Sequence, residues 1–229
     1  MKYVITLLVG MVTGAVAFVL LLYYNPFVGN QSVSPLAVSE LDLVDFSYSL
    51  LASDSIVFTN DGESHMQPHP AKVLQLWEPT VKMTRALVTI LNDSRGQPAG
   101  LGVKFSSDSE KTRLINAEVV VDSVWHIYSP EYGTFFVDQT ENFWPYLHDI
   151  VVPARLSGGD SWRGSWYGIT STGPGALGIA RVTGGTGDFA GTEGEAVESI
   201  AARAYSAITG PVAMTGKLTI ALPRQEALP

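Results

Sequence analysis

The sequence predicts a mainly β fold, an antiparallel barrel or sandwich, carried behind one apolar N-terminal helix. Three observations predict it. Short runs of β-branched and aromatic residues recur from Val73 to Leu222, separated by clusters of Gly, Asn, Asp, Ser and Pro. No amphipathic helical period intervenes between those runs, which favours strands joined by turns over βαβ units. At the other end, Tyr3–Tyr24 carries no charged residue and is long enough to cross a bilayer as a helix at ~1.5 Å per residue.

That first segment reads as an uncleaved anchor, residues 1–24. A cleaved signal peptide would end in small residues, whereas Leu20-Leu21-Leu22-Tyr23-Tyr24 is bulky and its tyrosines suit an interfacial belt. Lys2 precedes the helix, and no Lys or Arg occurs from Asn25 to Ala71. The positive-inside rule then places the N-terminus in the cytoplasm and the rest of the chain outside the inner membrane, in the periplasm. Gly10 and Gly14, with Ala17 one turn on, form a face of small residues on which a second helix can pack closely. Residues 25–39 lack any period and contain Pro26, Gly29, Ser32 and Pro35, the composition of a tether.

Residues 40–110 form an N-terminal extension with the first strands. Val38–Leu51 fits either a helix face or a strand, and Ile56–Thr59 a short strand. The loop Asn60–Pro70 holds His65, Met66 and His69, side chains that bind copper or zinc elsewhere. Pro68 and Pro70 forbid a helix that would align the rings, and no third ligand follows at fixed spacing, so the expectation is a solvated loop with no metal and no cofactor. Strands are then expected at Val73–Trp77, Val81–Leu91, Leu101–Phe105, Asn116–Tyr128, Gly133–Asp138, Glu141–Val152, Trp162–Thr170, Leu177–Thr183, Gly194–Ile200 and Val212–Leu222. Between them lie turn sequences such as Asn92-Asp93-Ser94-Arg95-Gly96 and Ser157-Gly158-Gly159-Asp160. Residues 111–223 make the barrel core, and 224–229 a tail.

The stretch Gly178–Gly194 organises this core. Glycines 184, 185, 187, 191 and 194 allow a sharp, bulged corner, with Phe189 as its one bulky plug. No helix start or lysine follows, and Asp188, Glu193 and Glu195 would repel a phosphate, so the run serves the fold and not a nucleotide. Through Thr183–Gly194 the chain resembles the allene oxide cyclase and dirigent families, which carry a late Gly-Gly-Thr-Gly-x-Phe-x-Gly signature. The resemblance extends loosely over Asn116–Leu222. It implies an antiparallel eight-stranded calycin-like barrel, and cofactor-free steering of a reactive apolar substrate inside an aromatic cavity.

Strand alternation would place Trp162 and Trp166 on one face, and Trp144, Tyr146 and His148 on one face of Asn142–Val152. These five, with Glu195, are the candidate ligand-binding residues. Aromatics on such faces line a ligand cavity or fill a solid core. Carboxylates that one strand face or the other could turn inward are Glu118, Asp122, Glu195 and Glu198, with His126 and His148 as candidate acid/base partners. There is no Gly-x-Ser-x-Gly elbow, no cysteine and no His-Glu-x-x-His helix, so catalytic residues stay unassigned. A net charge of −8 argues against nucleic acid as a partner. Two functions follow: an exported, membrane-anchored barrel that binds a hydrophobic small molecule, with or without cyclase or isomerase activity, or a filled barrel that serves as an accessory or assembly subunit of a membrane protein complex.

Overall fold

The computed structural model describes residues 2–24, 41–51, 55–58, 84–130, 132–173 and 179–223. The tether, the loop with His65, Met66 and His69, the expected strand Val73–Trp77 and the tail lie outside the described residues. Helix α1, Lys2–Tyr23, holds within it the one described helix long and apolar enough to cross a membrane, Tyr3–Leu21, with a mean hydropathy of 2.6 and no buried residue. Its small-residue face is open: among the described residues no other element comes within 4 Å of a Cβ placed on Gly10 or Gly14.

Among the described residues eleven strands form one antiparallel sheet. They are β1 Leu41–Ser49, β2 Ser55–Phe58, β3 Thr84–Asn92, β4 Pro98–Asp108, β5 Val120–Ser129 and β6 Gly133–Asn142. The remainder are β7 Ser161–Ile169, β8 Ser171–Gly173, β9 Ala180–Gly184, β10 Glu193–Ser206 and β11 Gly210–Pro223. The order β1-β11-β10-β9-β6-β5-β4-β3 closes on itself where Ser47 of β1 pairs with Asn92 of β3. The result is a closed eight-stranded barrel. β2 continues along β3 beyond that rung, β8 lies on β6, and β7 pairs with the far half of β10. Within the ambiguous stretch 38–51, Leu41–Ser49 is a strand, because β11 offers it a full ladder from Leu41↔Pro223 to Ser49↔Thr215.

Two turns seal one end of the barrel. Gly187 sits at φ +66, and a Cβ there would lie 2.4 Å from the Tyr132 carbonyl oxygen of the neighbouring β5–β6 turn. Asp188 N and Thr186 N donate across this contact to Tyr132 O and Thr134 O. Phe189 packs edge-on against Phe135, 4.8 Å between centroids, and covers the core from that side. The glycine-dense stretch thus builds the corner that its sequence suggests.

One expected strand is corrected. β6 ends at Asn142, and residues 143–156 turn helical: α-helix at Trp144–Tyr146, a π turn at Leu147–Val151, and α-helix at Val152–Leu156. Aromatic and β-branched residues suggested a strand, but Pro145 occupies a first-turn helical position, where a missing N–H costs nothing, and Pro153 falls where the π turn passes into the last α-helical turn. Asn142 fixes the switch, its Oδ1 accepting from Trp144 N and Val119 N at 3.0 Å each. Trp144, Tyr146 and His148 therefore do not share a strand face.

The apolar interior is divided. Phe46, Leu91, Trp125, Ile127, Phe135 and Leu218 belong to the cluster that fills the barrel toward the glycine corner. A second cluster, Ile150, Ile200, Ala202 and Met214, packs with Tyr146, Trp162 and Trp166 where β7, β10 and β11 extend past the barrel under the helical segment. Between the two lies a polar layer.

Candidate functional site

Five strands deliver that layer by simple alternation. β6 turns Phe135, Val137, Gln139 and Glu141 inward, and β10 does the same with Ala196 and Glu198. β4 inverts the usual pattern: Gly102 and Lys104 point in, while Leu101 and Phe105 face out. β5 adds Ser123 and Trp125, and β1 adds Tyr48. Gly216 makes room for the tyrosine, since a Cβ there would lie 2.0 Å from the Tyr48 Cζ.

The side chains form one network around two buried carboxylates. Lys104 Nζ lies 2.8 and 2.9 Å from the two oxygens of Glu198 and 2.7 Å from Glu141 Oε2. Trp125 Nε1 donates to Glu198 Oε2 at 3.0 Å, and Tyr48 OH and Gln139 Nε2 donate to the same carboxylate. Ser123 Oγ donates to Glu141 Oε2 at 2.7 Å. Lys104 also sits over the Trp125 ring, 5.5 Å from its centroid, a cation–π arrangement. Its side chain is 9 % exposed, and both carboxylates are fully enclosed.

One cation between two carboxylates leaves an unequal division. Burial raises the Glu198 carboxyl, but Lys104, Tyr48 and Trp125 outweigh burial and hold it below its ordinary value. Burial also raises Glu141, the charge on Glu198 adds to that, and Lys104 and Ser123 offset it only in part. Among the described residues Glu141 Oε1 and Gln139 Oε1 have no hydrogen-bond partner. Lys104 is pulled down by burial yet raised overall by the carboxylates, and Tyr48 is driven well up by burial and by Glu198, so it stays a phenol donor.

The raised Glu141 and depressed Glu198 act on opposite sides of the ordinary value of 4.5. Glu198 lends stability that is present above that value and is lost as pH falls through its lower folded pKa. Glu141 binds its proton more tightly in the folded state, so stability is lost as pH rises from 4.5 through its folded pKa. Glu141→Gln is therefore expected to remove the loss on the alkaline side. Urea midpoints measured from about pH 4 to about pH 8 should fall for the native chain and flatten for the variant.

The network floors a cavity of about 990 Å³. Leu50, Leu87, Val121, Phe143 and Ile200 give it apolar walls, Tyr48, Lys104, Glu141 and Glu198 border it, and Arg85 and Arg155 stand at its rim with the turn residues 207–210. It opens at the end where β6 runs into the helical segment, opposite the glycine corner. An apolar body can rest on the walls while a polar group meets the floor.

None of the six candidate ligand-binding residues borders this cavity. Trp162, Trp166 and Tyr146 pack into the second cluster, with Trp166 Nε1 bonded to Asp149 Oδ2 at 3.0 Å. His148 and Trp144 lie together outside it, and Glu195 is exposed on β10. Of the four carboxylates named from alternation, Glu198 is at the site; Asp122 and Glu195 are exposed and Glu118 is half-buried. His126 is exposed and stacked on Phe136. Glu141, Lys104 and Tyr48 were not anticipated, although carrying the β6 alternation past Asp138 would have turned Glu141 inward.

His148 has a different neighbour. Tyr23, the last residue of α1, stacks on its ring at 4.3 Å, and the Tyr23 carbonyl accepts from Nε2 at 3.0 Å. Nδ1 faces Asp149 Oδ1 at 2.7 Å. Compared with known proteins, the chain matches no family model and no curated protein.

Proposed function

We propose that this chain is a membrane-anchored barrel that binds a hydrophobic small molecule, held outside the cytoplasm by α1. The half-open cavity carries this reading: about 990 Å³ of space stands above a polar floor at the open end of the barrel. The distribution of Lys and Arg around α1 supports the orientation. The floor supports steering chemistry of the kind that the allene oxide cyclase and dirigent resemblance implies. Tyr48, Lys104, Glu141 and Glu198 border the cavity, polar groups toward which a bound substrate can be oriented without a cofactor.

Native mass spectrometry of the full-length protein released from detergent tests it. An apolar small molecule is expected on the native chain and absent from Leu87→Trp, whose larger ring would extend into the cavity from the inward face of β3, where Leu87 pairs with Lys104. A native chain that carries nothing, and takes up no cis-parinaric acid, would overturn the reading.

The accessory-subunit reading has its own support. Ile90, Leu101, Phe105, Tyr128 and Phe136 are exposed on the outer wall of β3 to β6, and Ile90↔Leu101↔Tyr128 are cross-strand neighbours. A contiguous apolar patch of that kind fits a protein partner. Membrane proteins that co-purify with the native chain and are lost from Leu101→Ser/Phe105→Ser would favour it.

A further inference from the structure

We infer that the mouth of the cavity is seated against the bilayer, so that its ligand comes from the lipid phase. The inference rests on the ligand-binding reading above and adds where the ligand enters. Its starting point is the contact of Tyr23 with His148. The last residue of a membrane-crossing helix lies at the lipid–water interface, where tyrosine is favoured, so the helical segment it touches lies there too. That segment follows β6 at the open end of the barrel, and Arg155 near its close stands on the cavity rim.

The rim is built for such a surface. Leu156 is 80 % exposed and Ile208, at the β10–β11 turn, is 79 % exposed. The two loops are joined: Ala207 N donates to Asp160 O at 2.8 Å, and Ser206 pairs with Ser161. Val212, also exposed, borders the cavity beside them. Large apolar groups facing outward at a cavity mouth cost solvation in water and gain it in the acyl boundary. Arg155 fits the same place, its stem apolar and its guanidinium able to reach the phosphate level. At the opposite end the β3–β4 turn is polar, with Ser94, Arg95, Gly96 and Gln97 exposed, and the large side chain exposed in the β5–β6 turn is the amphipathic Tyr132.

The chain has no cysteine, so single labels are unambiguous. Full-length Leu156→Cys, Ile208→Cys and Arg95→Cys proteins, each carrying an environment-sensitive nitrobenzoxadiazole probe, would be reconstituted into phosphatidylcholine vesicles with and without doxyl-labelled lipid. Emission at positions 156 and 208 is expected to be blue-shifted and quenched several-fold more by the doxyl lipid than emission at position 95. Equal, aqueous emission and weak quenching at all three positions would overturn the seating. Native mass spectrometry of the same samples separates the two claims. A filled cavity with aqueous probes at 156 and 208 overturns the seating and leaves ligand binding standing. Lipid-quenched probes over an empty cavity uphold the seating and overturn ligand binding.

Discussion

Lys104→Met is expected to destabilise the barrel by about 3–5 kcal/mol, the usual cost of removing one partner from a buried ion pair. Methionine fills the space and keeps the contact with the Trp125 ring, so packing loss contributes little. The cost arises because Glu141 and Glu198, both fully enclosed, would face each other with no cation between them. Two checks separate this from a packing defect. The deficit in urea midpoint should shrink as pH falls and the carboxylates take up protons. Glu141→Gln should raise the stability of Lys104→Met by more than it raises that of the native chain, a non-additivity expected only of directly coupled groups. An equal effect of Glu141→Gln in the two backgrounds across pH would show that the charges do not oppose each other.

Trp125→Ala should cost about as much, roughly 3–5 kcal/mol, by a different route. The indole is fully buried, meets Tyr48 edge-on at 5.0 Å, and carries the Nε1 donor to Glu198. Alanine leaves a void that the closed wall cannot collapse into. Trp125→Phe keeps most of the ring and removes only the donor, so its expected loss is about 1–3 kcal/mol. Glu198 retains Tyr48, Lys104 and Gln139 in that variant. Thermal or urea unfolding of the pair measures the difference, and a phenylalanine variant as unstable as the alanine one would place the whole effect in the hydrogen bond.

The strands were legible because turn residues punctuate them; the site was legible only in part. Glu198 was named because it lies on a strand, but so was Glu195 on the opposite face, and only the burial of Ala196, Glu198 and Ile200 in the fold separates them. Glu141 was lost because the boundary drawn after Asp138 cut it from the strand whose face it shares. Lys104 was hidden by the inverted pattern of β4, where the apolar residues face outward and the ordinary rule would turn lysine to solvent. The segment after Asn142 misled for a third reason: Trp, Tyr, Ile and Val favour strands on average, while Pro145, which decides locally, sits at a helix start. The docking of Tyr23 on His148 joins residues 125 positions apart, and nothing local in either stretch announces it.

The ladder between β1 and β11 sets a schedule for folding. Leu41 pairs with Pro223, so the first strand of the barrel waits for the last before it has a partner along its length. Contacts of such separation are formed late, because the chain between must be ordered first. Until β11 has been made, β1 lacks its partner along most of its length and its edge stands unpaired. Asp45 blunts that edge. In the finished fold it accepts from Thr219 Oγ1 at 2.7 Å and meets Lys217 Nζ at 2.9 Å; before β11 arrives it is a bare charge amid Leu43, Val44 and Phe46, the kind of residue that discourages pairing with a wrong strand. The same carboxylate that fastens the closed wall thus guards it during assembly.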